Sequence, residues 1–303
     1  MQPHVTILMA SYNGAEFISD QLTSIAAQTH IHWRLVIGDD GSTDETKEVI
    51  ASFCESNPKL EIHLVNGPRK GSNSNFCNLL QHVPKACDYI AFADQDDVWF
   101  PDKLGRAISH LEEIKGPALY GSRTTLVDDN SEVIGGSARP RHPLSFRNAL
   151  VQNVFGGNTC VLNRAGFEVL ARAQNGGYMF DWYLYQLMAG ADAALIFDQE
   201  PSLFYRQHSL NQIGANQGWR ARLRRARLMV SGEFCRWNSQ NIHALWRDRA
   251  LLTQQNQKLL YGFMLLQRVS GIAGLIQLRR LHLYRQGPLG QAGLILAGLF
   301  GKI

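Results

Sequence analysis

The sequence predicts an α/β protein: a mostly parallel central sheet with helices on both faces, followed by a basic helical C-terminal region. Three observations predict it. Short apolar runs alternate with helical stretches through the first 115 residues, the connections between them are short, and the charge balance changes sign near residue 215. Residues 1–215 hold 16 Lys and Arg against 24 Asp and Glu, a net of −8, whereas residues 216–303 hold 14 against 2, a net of +12. Short links between alternating strands and helices place the strands parallel, which requires both sheet faces to be covered. The basic end points to an anionic surface. The chain of 303 residues is 45% hydrophobic and 18% charged, an ordinary balance for a protein with a buried core and room for one large domain or two modest ones.

The elements follow in order. VTILMA is a strand, and EFISDQLTSIAAQ has helical spacing. RLVIGDD is a second strand ending in acids. STDETKEVIASFCES is a helix opened by a capping box, Ser42 with Glu45 three residues on. EIHLV is a third strand and SNSNFCNLLQHV a third helix. YIAFAD is a fourth strand running into acids, and PDKLGRAISHLEEI is a helix with Pro101 in its first turn. From residue 116 the alternation loosens. ALYGS and TLVDD read as two short strands, SEVIGGSARPRHPLS as a loop, FGGNTCVLNRAGFEVLARA as a strand and helix, FDWYLYQLMAGA as an aromatic-rich helix, and ALIFD and SLFYRQH as two further strands. After Gly218 the chain reads as helical and basic. The domain expectation is 1–215, divided into a nucleotide-binding half at 1–115 and an acceptor-binding half at 116–215, with the basic region at 216–303.

Five cysteines, odd in number and without a CxxC pair, indicate reduced thiols rather than a disulfide or zinc framework. The N-terminus enters the first strand without a signal-peptide pattern. GPLGQAGLILAGLFG is short for a span of about 20 residues. These features read as a cytosolic protein at the cytoplasmic face of a membrane.

Ligands of parallel sheets bind beyond the carboxyl ends of the strands. Ser11-Tyr12-Asn13, Asp39-Asp40 and the Asp94–Asp97 cluster all lie at such ends. In FADQDDVWF, three carboxylates within four residues repel one another unless a cation or hydrogen bonds compensate. An all-oxygen D-x-D-D cluster suits Mg²⁺ or Mn²⁺, and Val98 and Trp99 exclude an EF-hand loop. The other reading is a surface acidic turn or helix cap. Asp39-Asp40-Gly41 reads either as a turn with local Asx hydrogen bonds or as a carboxylate that accepts from a base or ribose hydroxyl.

TILMASYNGAEFISDQLTSIAAQT, VIGDDGSTDET and ADQDDVWFPDKL, in this order and at this spacing, resemble glycosyltransferase family 2, the inverting enzymes of the GT-A fold, over residues 4–210. The resemblance implies roles residue by residue. Ala10 and Tyr12 contact the nucleotide base, Tyr12 by stacking. Asp40, with Asp39 beside it, accepts from base or ribose. Arg69, Lys70 and Asn75 of NGPRKGSNSNF line the nucleotide and its phosphates, a solvated basic turn being the other reading of Arg69. Asp96 is the metal ligand, Asp94 lies near donor sugar and ribose, and Asp97 supports them. Asp181, followed by Trp182, is the catalytic base, or a helix N-cap, or both. Members of the family more often place a second acid or a His before this Asp, where this chain has Phe180. Arg206 and His208 of YRQH contact diphosphate or metal. Gly156, Gly157 and Asn158, with Trp182, belong to the acceptor side.

The implied activity is transfer of a sugar from a nucleotide-diphosphate donor to a glycan or glycolipid hydroxyl by single displacement with inversion, aided by a divalent cation. The motif set resembles most the bacterial members that use dTDP-L-rhamnose to build lipopolysaccharide core or O-antigen. A UDP- or GDP-sugar donor is the alternative, and a non-catalytic nucleotide-sugar or glycan-binding module is a second. A nucleotidyltransferase would show a Gly-rich phosphate loop where this chain has ASYNG. WRARLRRARLMV, with Arg220, Arg222, Arg224, Arg225 and Arg227, suits an anionic lipid surface at the cytoplasmic face of the inner membrane, or a helix packed on the catalytic domain. No nucleic-acid motif accompanies it.

Overall fold

The computed structural model describes residues 3–174, 177, 179–207 and 233–303. The elements in chain order begin with β1 (Val5–Ser11), α1 (Ile18–Ala26), β2 (Trp33–Asp39), α2 (Thr46–Ser56), β3 (Ile62–Asn66), α3 (Ser72–Leu79) and β4 (Tyr89–Asp94). They continue with β5 (Val98–Trp99), α4 (Lys103–Leu111), β6 (Ala118–Val127), β7 (Val133–Gly136), α5 (Phe146–Ala149) and β8 (Val161–Asn163). Last come α6 (Arg164–Arg172), α7 (Phe180–Gly190), β9 (Ala194–Arg206) and the helices Glu233–Arg247, Gln254–Leu266, Gly271–Arg280 and Pro288–Phe300. The chain divides into two compact units. The first comprises Met1–Ala138, Phe155–Ala171 and Ile196–Gln212; the second comprises Arg139–Val154, Arg172–Leu195 and Ile213–Ile303.

The sheet is mixed, with helices on both sides. Its strand order is β3-β2-β1-β4-β8-β6-β9-β5, with β7 paired to β6. β3, β2, β1 and β4 run parallel, as the first half of the sequence predicts. Val5, Ile7, Leu8 and Met9 of β1 and Ile90, Ala91, Phe92 and Ala93 of β4 are fully buried, so strands covered on both faces are apolar without alternation. Beyond β4 the pairings β4–β8, β6–β8, β6–β7 and β5–β9 are antiparallel. The parallel part therefore ends at β4, after which strands also follow one another without a helix between them, as β4–β5 and β6–β7 do.

Several local expectations are corrected. ALYGS and TLVDD form one ten-residue strand, and ALIFD and SLFYRQH form one of thirteen, up to Arg206. Pro201 lies in β9 just before the residues that pair with β5, Leu203 and Phe204. The segment read as a loop at 131–145 contains β7. Asp128 caps its turn by accepting from the backbone N–H groups of Asn130 and Glu132, both at 2.9 Å. The capping box is absent: α2 starts at Thr46, and the Ser42 hydroxyl donates to Asp39 instead. Pro101 precedes α4, which begins at Lys103.

In the second unit α7 is buried almost all round. The Trp182 indole N–H donates to Ala149 O at 2.7 Å, Tyr185 OH to Asn148 Oδ1 at 2.9 Å, and Tyr183 OH to Asp248. Among the described residues no helix is long and apolar enough to cross a membrane.

Candidate active site

The carboxyl ends of β1, β2 and β4 lie side by side, because their registers pair Ala10 with both Gly38 and Asp94. The chain leaves β1 through Ser11-Tyr12-Asn13-Gly14, and each residue of that turn is fastened. Gln95 accepts from Tyr12 N at 2.9 Å and from Ser11 Oγ at 3.0 Å, and donates to Tyr12 O at 2.9 Å. Asn13 N donates to Ser42 Oγ at 2.9 Å, and Gly14 N to Thr46 Oγ1 at 2.8 Å. A Cβ on Gly14 would sit 2.2 Å from Gln95 Oε1, so the amide crosses where only glycine leaves room. The Tyr12 ring remains 55% exposed on this rigid turn, as an aromatic face for stacking must be. Ala10, the last residue but one of β1, is buried.

The two aspartates after β2 divide their work. Asp39 is buried within its own turn, accepting from Gly41 N and Ser42 N, both at 3.1 Å, from Ser42 Oγ, and from Lys47 Nζ at 3.2 Å. Burial alone would raise its pKa; the Ser42, Lys47 and Gly41 hydrogen bonds outweigh burial and hold it below the ordinary carboxylate value. Its oxygens are thus committed to the turn. Asp40 accepts from Arg69 N and Gly71 N, each at 2.6 Å, and shapes the 67–71 loop around its carboxylate. That loop carries left-handed φ angles, 58° at Arg69 and 87° at Gly71. Arg69 and Lys70 are exposed on it. Asn75 is buried on α3, donating to Gly38 O at 2.6 Å, and so lies inside the helix–sheet packing rather than on the loop surface.

The acid turn after β4 is held from several sides. Gln21, buried on α1, donates to Asp94 O at 3.0 Å. Trp99 N donates to Ser24 Oγ at 3.0 Å. Arg206 is buried: its Nε donates to Asp96 O at 3.4 Å, Nη1 to Ser131 Oγ at 3.2 Å and Nη2 to Asp20 Oδ2 at 3.0 Å, and its guanidinium lies over the Phe17 ring. The structure therefore places Arg206 as a fastening of the turn. Asp94 and Asp96 are half-buried; Asp97 is fully buried.

Beneath the turn lies a network that sequence reasoning missed. Asn158 Nδ2 donates to Asp97 Oδ2 at 2.7 Å, and Lys103 Nζ donates to Asn158 O at 3.0 Å and Ser202 Oγ at 3.3 Å. Ser202 in turn shares a 2.6 Å hydrogen bond with Ser122. Lys103 is completely buried against the Trp99 ring. Burial holds the Asp97 carboxyl well above the usual range, reinforced by the charges of Asp96 and Asp94 and opposed by Asn158 and Lys103. Burial pushes Lys103 down to about 7, against the upward pull of Asp97. Asp97 Oδ1 has no hydrogen-bond partner among the described residues. Asn158, in the turn Gly157–Thr159, is thus tied to the acid turn, with Gly156 and Gly157 immediately before it. Lys103 was legible only as a residue at a helix start, and nothing in its neighbours marks a lysine as buried.

Among the described residues no group of three or more His, Cys, Asp and Glu converges as a metal-holding set. Asp94 and Asp96 provide two hard oxygen donors, which suffice for Mg²⁺ or Mn²⁺ when water and phosphate complete the shell. His208 lies outside the described residues, as do Trp219 and the arginines between 220 and 227.

In the second unit, Asp181 occupies the first turn of α7, where a carboxylate is favoured by the helix dipole, and accepts from Trp182 N at 2.7 Å. Trp182, expected on the acceptor side, is instead buried against Ala149.

Three kinds of comparison bear on this arrangement. The family model described as Glycosyl transferase family 2 matches residues 6–168, more than half of the chain. The dTDP-rhamnosyl transferase RfbG of Shigella flexneri is 28% identical over 231 residues, covering 73% of this chain and 78% of that protein. The Escherichia coli UDP-Glc:alpha-D-GlcNAc-diphosphoundecaprenol beta-1,3-glucosyltransferase WfgD is 31% identical over 160 residues, 53% of this chain and 60% of that one. Among solved structures, the mannosyltransferase PcManGT of Pyrobaculum calidifontis, in complex with GDP-Man and Mn²⁺, superposes with a TM-score of 0.55 at 19% identity, covering 98% of this chain and 86% of that one. S. aureus TarS 1-349, in complex with UDP-GlcNAc, gives 0.54 at 14% identity over 85% and 86%.

Proposed function

The chain belongs to glycosyl transferase family 2, and we propose that it is an inverting transferase that moves L-rhamnose from dTDP-L-rhamnose to a hydroxyl of a bacterial cell-surface glycan such as lipopolysaccharide core or lipid-linked O-antigen. The observation that carries the reading is the preorganised acid turn. Asp94 and Asp96 sit at the end of β4, held by Gln21 and Arg206 through their carbonyls, beside the exposed Tyr12 ring. Rhamnose is supported by the relative RfbG. A UDP- or GDP-sugar is the second reading, supported by WfgD and by the ligands of the two solved relatives. A non-catalytic nucleotide-sugar or glycan-binding protein would not need the buried ionisable pair under the turn.

In this reading Tyr12 stacks on the base, and Asp40 holds the Arg69–Gly71 loop so that exposed Lys70 meets the diphosphate. Arg206 and the Lys103–Asn158–Asp97 network hold the acid turn in place before donor arrives, which spares reorganisation during reaction. Asp96, with Asp94 beside it and His208 as a further candidate, would hold Mg²⁺ or Mn²⁺, which neutralises charge on a leaving diphosphate. The general base is assigned to Asp181 on the family resemblance. It takes the proton of the acceptor hydroxyl, whose oxygen bonds to the anomeric carbon as the bond to the diphosphate breaks. Residues 1–215 are the catalytic region in this assignment and 216–303 an accessory one. The site of action is the cytoplasmic face of the inner membrane.

Thermal unfolding with a panel of nucleotides and nucleotide sugars, each with Mg²⁺, Mn²⁺ or EDTA, tests this. A ligand at 100 times its dissociation constant stabilises by about 2.7 kcal/mol. A metal-dependent shift with dTDP-rhamnose, absent in Asp96→Ala, is expected. A shift confined to UDP or GDP compounds discards rhamnose, and no shift with any nucleotide refutes the transferase reading.

A further inference from the structure

Nine of the fourteen exposed large hydrophobic side chains among the described residues fall between Tyr261 and Phe300. They are concentrated on the helix Pro288–Phe300. There Leu289, Ala292, Ile295, Leu296, Leu299 and Phe300 are exposed at spacings of three and four, which puts them on one stripe along the helix. The opposite side is packed: Leu294, Ala297 and Gly298 are buried, and a Cβ on Gly274 of the helix Gly271–Arg280 would lie 2.3 Å from Gly298 O. The stripe is therefore the outer surface of a helix already seated on its unit. No residue of the helix is charged. Leu289 is 70% exposed and Phe300 66%, an arrangement that water alone disfavours.

The surroundings say what covers it. After Asp248 the chain contains no Asp or Glu at all, and it carries seven Lys and Arg. Arg285 precedes the helix and Lys302 follows it, while Arg279 and Arg280 end the helix packed against it. An apolar stripe with basic residues at both ends matches a bilayer interface: the side chains enter the acyl boundary and the cations meet anionic headgroups. A second copy of this chain fits poorly, because it would bring the same excess of basic residues to the same face. At thirteen residues the helix is about 20 Å long, too short to cross a hydrocarbon core of about 30 Å. It suits lying along the surface.

We propose that the exposed stripe of the helix Pro288–Phe300 is a docking surface for an anionic lipid bilayer. The proposal deepens the reading of a transferase acting at the membrane, on which it rests for the purpose of docking. It differs from the sequence expectation, which placed the lipid contact in the arginines between 220 and 227.

Vesicle co-sedimentation of the full chain tests it, with phosphatidylglycerol–phosphatidylcholine vesicles against pure phosphatidylcholine. Wild type should bind the anionic vesicles at least 10-fold more strongly, and Leu296→Gln combined with Phe300→Gln should weaken that binding about 10-fold. Both side chains are exposed, so the fold should be kept, and an unchanged nucleotide-induced thermal shift checks it. Equal binding to neutral and anionic vesicles overturns the proposal. So does full binding by the double variant with loss on neutralising Arg222, Arg224 and Arg225, which would make the arginine run the anchor. A wild-type dimer in light scattering that becomes monomeric in the double variant, without vesicle binding in either, makes the occupant a second copy and also overturns it. The transferase reading fails separately, by the absence of any nucleotide shift.

Discussion

Replacing Lys103 by Met separates a residue that holds the fold from one that holds the site. Lys103 is fully buried, with Nζ 3.0 Å from Asn158 O and 3.3 Å from Ser202 Oγ. Its pKa falls from 10.5 to about 7 in the fold, because burial outweighs the attraction of Asp97. At pH 7 the unfolded chain therefore holds the proton more tightly, which disfavours folding by about 4 kcal/mol. The sign follows: this penalty is present at and below pH 7 and fades as pH rises toward 10.5. Methionine removes the penalty and fills similar volume. Against that, it leaves Asn158 O short of its donor, at a cost of about 1–3 kcal/mol, and takes a cation from beside Asp97. The terms oppose at similar size, so the variant should unfold within about 2 kcal/mol of wild type in urea. Function should respond differently. Asn158 is the link between Lys103 and Asp97, and a turn misplaced by about 1 Å can lower turnover about 100-fold. Turnover followed by nucleoside diphosphate release should fall by about 10- to 100-fold, and Mn²⁺ affinity, by electron paramagnetic resonance with nucleotide present, by about 10-fold. A loss of more than about 4 kcal/mol, with turnover per folded molecule and Mn²⁺ affinity unchanged, would refute the reasoning and leave Lys103 as a packing residue.

Two further outcomes follow from the same geometry. Asp181→Asn should lower kcat by about 10²–10⁴-fold, the usual contribution of a general base, while the donor-induced thermal shift stays as in wild type; an active variant would remove Asp181 from the base role. Asp198 pairs with Arg106 and accepts from Tyr120 OH at 2.8 Å. Burial raises its pKa, but the Glu200, Arg106 and Tyr120 hydrogen bonds outweigh it and hold the value below 3.8. Its stabilising contribution is thus complete above about pH 4 and lost as pH falls through the lowered value. Urea midpoints between pH 5 and 2.5 should fall more steeply for wild type than for Asp198→Asn, and parallel slopes would contradict this.

What the sequence by itself determined is the parallel half of the fold, with acids at the carboxyl ends of its strands. The apolar runs of β1, β2 and β4 are continuous because both faces of those strands are buried, so composition alone marks them as interior parallel strands. The acids at their ends are conspicuous because charge rarely follows such runs without a purpose. Beyond residue 116 the signal weakens for a physical reason. β7 and β8 have four and three residues and β5 two, too few for any period to show, and their pairing is decided by partners distant in sequence. Tertiary structure alone decided what each polar side chain does. Ser42 looked like a helix cap and serves Asp39, because the turn after β2 brings that carboxylate closer than the helix N-terminus. Arg206 looked like a phosphate ligand and is buried among Asp20, Ser131 and Asp96 O, because the long strand β9 ends beside the acid turn. Trp182 and Asn75 looked like lining and are interior. Lys103 gave no sign at all. Burial belongs to the assembled unit and not to the residue, and a lysine enters the core only where a carbonyl and a hydroxyl from two other segments, here Asn158 and Ser202, meet its amine.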